Sequence, residues 1–86
     1  QELLHQARRN RLDGDFYSFY RALHSALIRI TTLSPEPHTA LKEKIKRAID
    51  DTGYRGMRPS DDVLEGDFRD VERIVAQEQQ RAAKEN

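Results

Sequence analysis

The sequence predicts an all-α fold, a small bundle of three to four helices. Three observations carry that reading. Apolar residues recur at three- and four-residue intervals in four successive segments. Glycine, proline or an Asp-Gly turn separates those segments. The one run with strand-like alternation, Ile28 to Thr32, lies inside the strongest helical stripe. The 86 residues suit one domain. Leu, Ile, Val and Phe total 19 residues, about 22% of the chain, just above the composition at which chains fail to collapse. Fifteen cations against fifteen carboxylates give zero net charge, which removes self-repulsion and any bulk attraction to nucleic acid.

The first helix spans residues 2–12, with Leu3, Leu4, Ala7 and Leu12 apolar and Arg8, Arg9 and Arg11 basic. Asp13-Gly14-Asp15 stops it, because Gly14 can take a positive φ and Asp15 can cap the next helix. The second helix, 15–33, carries Phe16, Tyr20, Leu23, Leu27 and Ile30 at spacings of four and three. A second row, Phe19, Ala26 and Leu33, lies beside them. Two adjacent rows make a wide stripe, so this helix is expected to be the most buried. Ser34-Pro35-Glu36-Pro37 ends it. The third helix, 39–52, has Thr39 as its expected N-cap, a stripe of Leu41, Ile45, Ala48 and Ile49, and Gly53 as its stop. Residues 53–59 form a loop. The fourth helix starts at Ser60 ahead of Asp61 and Asp62, which suit the positive end of the helix dipole. Its stripe is Leu64, Phe68, Val71 and Val75, with Ile74 beside it. Gly66 marks a place where it can break. The domain is therefore expected over residues 1–76, and the polar residues 77–86 are expected to fray.

Residues 1–58 carry 11 cations and 7 carboxylates, and residues 59–86 carry 4 and 8. The acidic last helix is expected to pack against basic neighbours and set the register of the bundle. The sharper alternative is a basic face open to an acidic partner or lipid.

Little in the chain resembles catalytic chemistry. His5, His24 and His38 share no i, i+3 or i+4 pairing, so no metal role is expected, and no cofactor motif is present. Asp50-Asp51 and Asp61-Asp62 read as helix-end pairs, the serines have no nucleophile motif, and Asp13-Gly14-Asp15 lacks the later ligands of a calcium loop. The chain is not expected to be an enzyme. There is no cysteine and no apolar run long enough to cross a membrane. The chain begins at Gln1 rather than Met and reads as a piece of a larger protein. Phe16, Phe19 and Tyr20 are expected in the core, with Tyr17 in water beside Arg21, rather than as a stacking platform for nucleic acid. The basic, glycine-containing loop is the best candidate contact surface for a protein, through Tyr54, Arg55, Met57 and Arg58. In the competing reading, Tyr54 and Met57 close the bottom of the core.

One stretch carries a family resemblance. Residues 7–27 place Gly14, Asp15, Phe19, Tyr20, Leu23, Ala26 and Leu27 after a basic Ala-Arg helix. Gly53-Tyr54-Arg55 stands where a later Ala-Arg-Tyr-type motif belongs, in reversed order. This pattern resembles the cytoplasmic C-terminal domain of the BatD family of bacterial aerotolerance-operon membrane proteins. The resemblance implies a docking or scaffold domain on the cytoplasmic face of the inner membrane, after a single membrane-spanning helix. It also implies partners of the MoxR-type AAA+ ATPase or von Willebrand-type membrane protein kind, and makes Arg8, Arg9 and Arg11 juxtamembrane charges. The runner-up is an anionic-lipid or nucleic-acid binder using Arg8, Arg9, Arg11 and the Lys42–Arg47 helix. Zero net charge argues against specific nucleic-acid binding at physiological salt.

Overall fold

Each apolar stripe forms a helix. The computed structural model describes residues 2–85, and among them are four helices and no strand: α1 (Glu2–Leu12), α2 (Phe16–Thr31), α3 (Thr39–Gly53) and α4 (Asp61–Glu85). Helix α2 is central and packs against all three others, while α3 and α4 meet only lightly. Seven of the 16 residues of α2 are buried, because its double apolar row leaves only one narrow face for water. Phe19, Tyr20, Leu23 and Leu27 have no exposed surface, and they meet Ile45, Leu64 and Val71, which have none either.

The helix ends follow local chemistry. Gly14 takes φ 76° to end α1, a conformation that only glycine adopts freely. The Ser18 amide then donates to Asp15 Oδ1 at 3.1 Å, capping α2. At the other end α2 stops at Thr31, two residues short of the expected Leu33. The Thr31 and Thr32 hydroxyls donate back to the Leu27 and Ile28 carbonyls at 2.7 and 2.8 Å, and Pro35 disfavours helical backbone just before it. Leu33 and Leu12, both assigned to apolar rows, are 88% and 87% exposed.

Helix α3 is capped differently from the expectation. Its N-cap is His38 rather than Thr39, with left-handed φ 54° and ψ 44° and no side-chain cap. Gly53 ends α3 without a positive φ. The Tyr54 amide closes the last turn on the Asp50 carbonyl at 2.9 Å. Glycine matters at 53 for another reason: a Cβ there would lie 2.6 Å from Tyr17 Cδ1. Tyr17 is thus half-buried against α3 rather than standing in water, although it does lie beside Arg21.

Helix α4 starts as expected, with Ser60 Oγ accepting from the Val63 amide at 3.3 Å. It then runs unbroken through Gly66 and on through the polar residues expected to fray, as far as Glu85. That extension has a physical reason. The 64, 68, 71, 75 stripe continues to position 78, and Glu78 is only 4% exposed. Gln1 and Asn86, the ends of the expected domain and tail, lie outside the described residues.

Candidate functional site

Two carboxylates are buried in α4, and sequence reasoning singled out neither. Asp67, 3% exposed, accepts a hydrogen bond from the Tyr20 hydroxyl at 2.6 Å. It also pairs with Lys44 Nζ at 3.1 Å. Burial, and then the bond to Asp67, push the Tyr20 phenol above its ordinary value. The bond to Asp67 likewise raises the Lys44 ammonium. Both shifts hold the protons in place, so Tyr20 remains a hydroxyl donor and Lys44 a cation rather than a nucleophile. One sequence signal was available: a tyrosine in the middle of an apolar stripe needs an acceptor for its hydroxyl.

Farther along, Glu78 Oε2 accepts from the Ser34 hydroxyl at 3.0 Å and lies 3.5 Å from His38 Nε2. Its Oε1 accepts from Arg81 Nε at 2.8 Å, and that bond holds the Glu78 carboxyl below the usual carboxylate range. The α2–α3 linker is thus tied to α4, and His38 keeps its left-handed backbone there. The missed signal was position: Glu78 stands three residues past Val75 in a stripe of alternating four and three.

The expected basic-on-acidic packing is realised. Arg11 Nη1 pairs with Glu65 Oε1 at 2.8 Å, and Arg8 pairs with Glu72 at 3.5 Å while lying 4.8 Å from the centre of the Phe68 ring. Lys44 adds Asp70 at 3.8 Å. Of the three arginines assigned a juxtamembrane role, two are therefore spent on α4. Arg9 alone of the three makes no ion pair among the described residues.

The 53–59 loop lies at one end of the bundle, against the α1–α2 turn. Tyr54 is 85% exposed and Met57 54%, so neither closes the core. Arg55 makes only a loose pair with Asp51, at 3.9 Å. Arg58 differs: its guanidinium sits 5.0 Å from the centre of the Phe16 ring, a cation–π contact that covers a half-buried aromatic. Exposed Leu12 and Val63 belong to the same end, from the last turn of α1 and the first turn of α4.

Among the described residues no group of three or more His, Asp or Glu side chains stands close enough to hold a metal ion, and no helix is long and apolar enough to cross a membrane. Every buried side-chain polar atom among them has a partner. The aromatics named as a possible stacking platform are instead largely core. Phe19 packs edge-on against Tyr20 with ring centres 4.9 Å apart, and stacks with Phe68 at 6.5 Å. In comparisons with known proteins the chain matches no family model, no curated protein and no solved structure.

Proposed function

We propose that this chain is a non-catalytic docking domain that holds a protein partner at the end of the bundle built from the 53–59 loop and the α1–α2 turn. The observation that carries the reading is that this end leaves Tyr54, Met57, Val63 and Leu12 exposed, with Met57 and Val63 lining one groove, on a small charged domain whose other large apolar residues are mostly covered. Clustered exposed apolar side chains with nearby arginine are what interface anchors look like. The loop is also braced, since Arg58 rests on Phe16, so docking orders little backbone. The resemblance to the BatD family supplies the setting and the partners: the cytoplasmic face of a bacterial inner membrane, a MoxR-type AAA+ ATPase or a von Willebrand-type membrane protein, and a link to oxygen or stress tolerance.

The test is calorimetric titration of the chain with each of those two proteins, purified from the same organism, beside the Tyr54→Ala/Met57→Ala variant. Saturable binding to one of them that the double variant loses supports the reading. Absence of binding to both, or equal binding by the variant, overturns it. Arg58 is left in place because its removal would uncover Phe16.

A further inference from the structure

Two groups of cations stand apart in the first three helices. Arg8, Arg11 and Lys44 point at α4 and are paired with its carboxylates. Lys42 and Lys46 stand two residues either side of Lys44, on the opposite side of α3, and make no ion pair among the described residues. Arg21, on α2, has as its polar partner the Tyr17 hydroxyl, to which Nη1 donates at 2.9 Å. Between Arg21 and the two lysines lies His24, half-buried. Burial first, then Lys46, Lys42 and Arg21, hold its imidazole below the ordinary value. On the α1 side, Arg9 shares a shallow groove with Tyr17 and Arg21. The outer seam of α2 and α3 therefore brings Arg21, Lys42 and Lys46 around His24, with Arg9 beside them, none in an ion pair among the described residues of a chain whose net charge is zero.

The seam also has apolar ends. At one end Tyr54, 85% exposed, follows Gly53, whose surface carries the Tyr17 ring. At the other, Ile28 is 42% exposed. From Tyr17 to Ile28 the seam runs roughly 16 Å at 1.5 Å per helical residue. That matches about five residues of extended chain.

We propose that the α2–α3 seam is a binding site for a short acidic protein segment, about five residues long, with carboxylates opposite Arg21, Lys42 and Lys46 and apolar side chains at its two ends. Charge complementarity selects the carboxylates. Tyr54 and Ile28 select apolar flanks, which a phosphate backbone does not offer. A membrane gains only about 1 kcal/mol per basic residue, too little from so few. The proposal rests on the reading of the chain as a docking domain and names the chemistry of a second contact, continuous with the loop at Tyr54.

The experiment uses the peptide acetyl-Leu-Glu-Glu-Glu-Leu-amide, its Gln-for-Glu counterpart, a ten-nucleotide oligothymidylate and phosphatidylserine vesicles. Each is titrated into the chain while NMR follows the His24 ring and the Arg21, Lys42 and Lys46 signals. The acidic peptide is expected to shift these signals saturably, to raise the His24 pKa as a bound anion must, and to weaken as salt is added. Lys42→Gln/Lys46→Gln is expected to lower its affinity at least tenfold with an unchanged melting temperature, because neither lysine is paired in the fold. No saturable shift, equal binding of the Gln peptide, or an unaffected lysine variant overturns the proposal. So does tighter saturation of the same signals by the oligonucleotide or the vesicles. The docking reading is tested with the two whole proteins and the seam with the peptide and the lysine variant, so the two failures are distinguishable.

Discussion

Asp67 and Glu78 share a face of α4, eleven residues or about three turns apart, and both are buried, yet they do different work. Asp67 sits among Leu64, Phe68 and Val71 and takes its partners from two other helices, Tyr20 of α2 and Lys44 of α3. Glu78 stands past the last large apolar residue, Val75, and takes its partners from the α2–α3 linker and from its own helix. A buried carboxylate whose partners lie on rigid helices sets how three helices register. One whose partners lie in a linker tethers that linker and keeps a polar helix end ordered. Leaving either group unpaired is what would be costly, rather than the pair being a large net gain.

The largest expected effect comes from the buried face of α2. Leu23→Ala or Leu27→Ala, each at a fully buried position, is expected to cost about 2–5 kcal/mol in urea unfolding, and an unchanged midpoint would refute the core assignment. The two buried carboxylates come next. Asp67→Ala strands the Tyr20 hydroxyl and is expected to cost about 1–3 kcal/mol globally. Glu78→Ala is expected to lower the midpoint less, while speeding amide exchange at residues 34–38 and 77–84. Equal global losses from the two would erase the distinction between a registering carboxylate and a tethering one.

A gain is expected beside the first of the two sites. Gly66 lies inside α4, and a Cβ there meets nothing within 4 Å. Gly66→Ala is therefore expected to stabilise by up to about 1 kcal/mol, and a helix hinged at Gly66 would show no such gain.

The smallest effects are in pH. Arg11 and then Arg69 hold Glu65 below the usual carboxylate range, as Arg81 holds Glu78. Their contribution is complete above the unfolded value of about 4.3 and is lost as pH falls through the lower folded values. His24, a base held below its ordinary value, acts with the same sign but earlier, with loss beginning below about 6.5. Melting temperatures between pH 7 and 2 are expected to show Glu78→Gln flattening the acid end of the curve and His24→Gln removing its upper part. A His24→Gln curve that overlays the parent would contradict the cationic seam.

What was legible in the sequence was whatever depends on periodicity and local chain chemistry. Four stripes at helical spacing announced four helices, Gly14 and Asp15 announced the α1–α2 turn, Ser60 the start of α4, and the +4 and −4 halves the packing of basic helices on an acidic one. Local rules failed where a distant group intervened. Gly53 ends α3 as its residue type suggests, but only the fold lays the Tyr17 ring across it, and His38 reads as an ordinary histidine until Glu78 sits beside its ring. Arg58 reads as a free loop charge until Phe16 is found beneath it.

Composition and spacing determined that this chain is an all-α bundle with α2 at its centre, because apolar burial depends on which face a residue occupies along its own helix. Tertiary structure alone decided which charges are spent and which are left. Lys42, Lys44 and Lys46 are alike in sequence. Only the position of α4, fixed by packing between residues far apart in the chain, brings Lys44 onto Asp67, while Lys42 and Lys46 make no ion pair among the described residues.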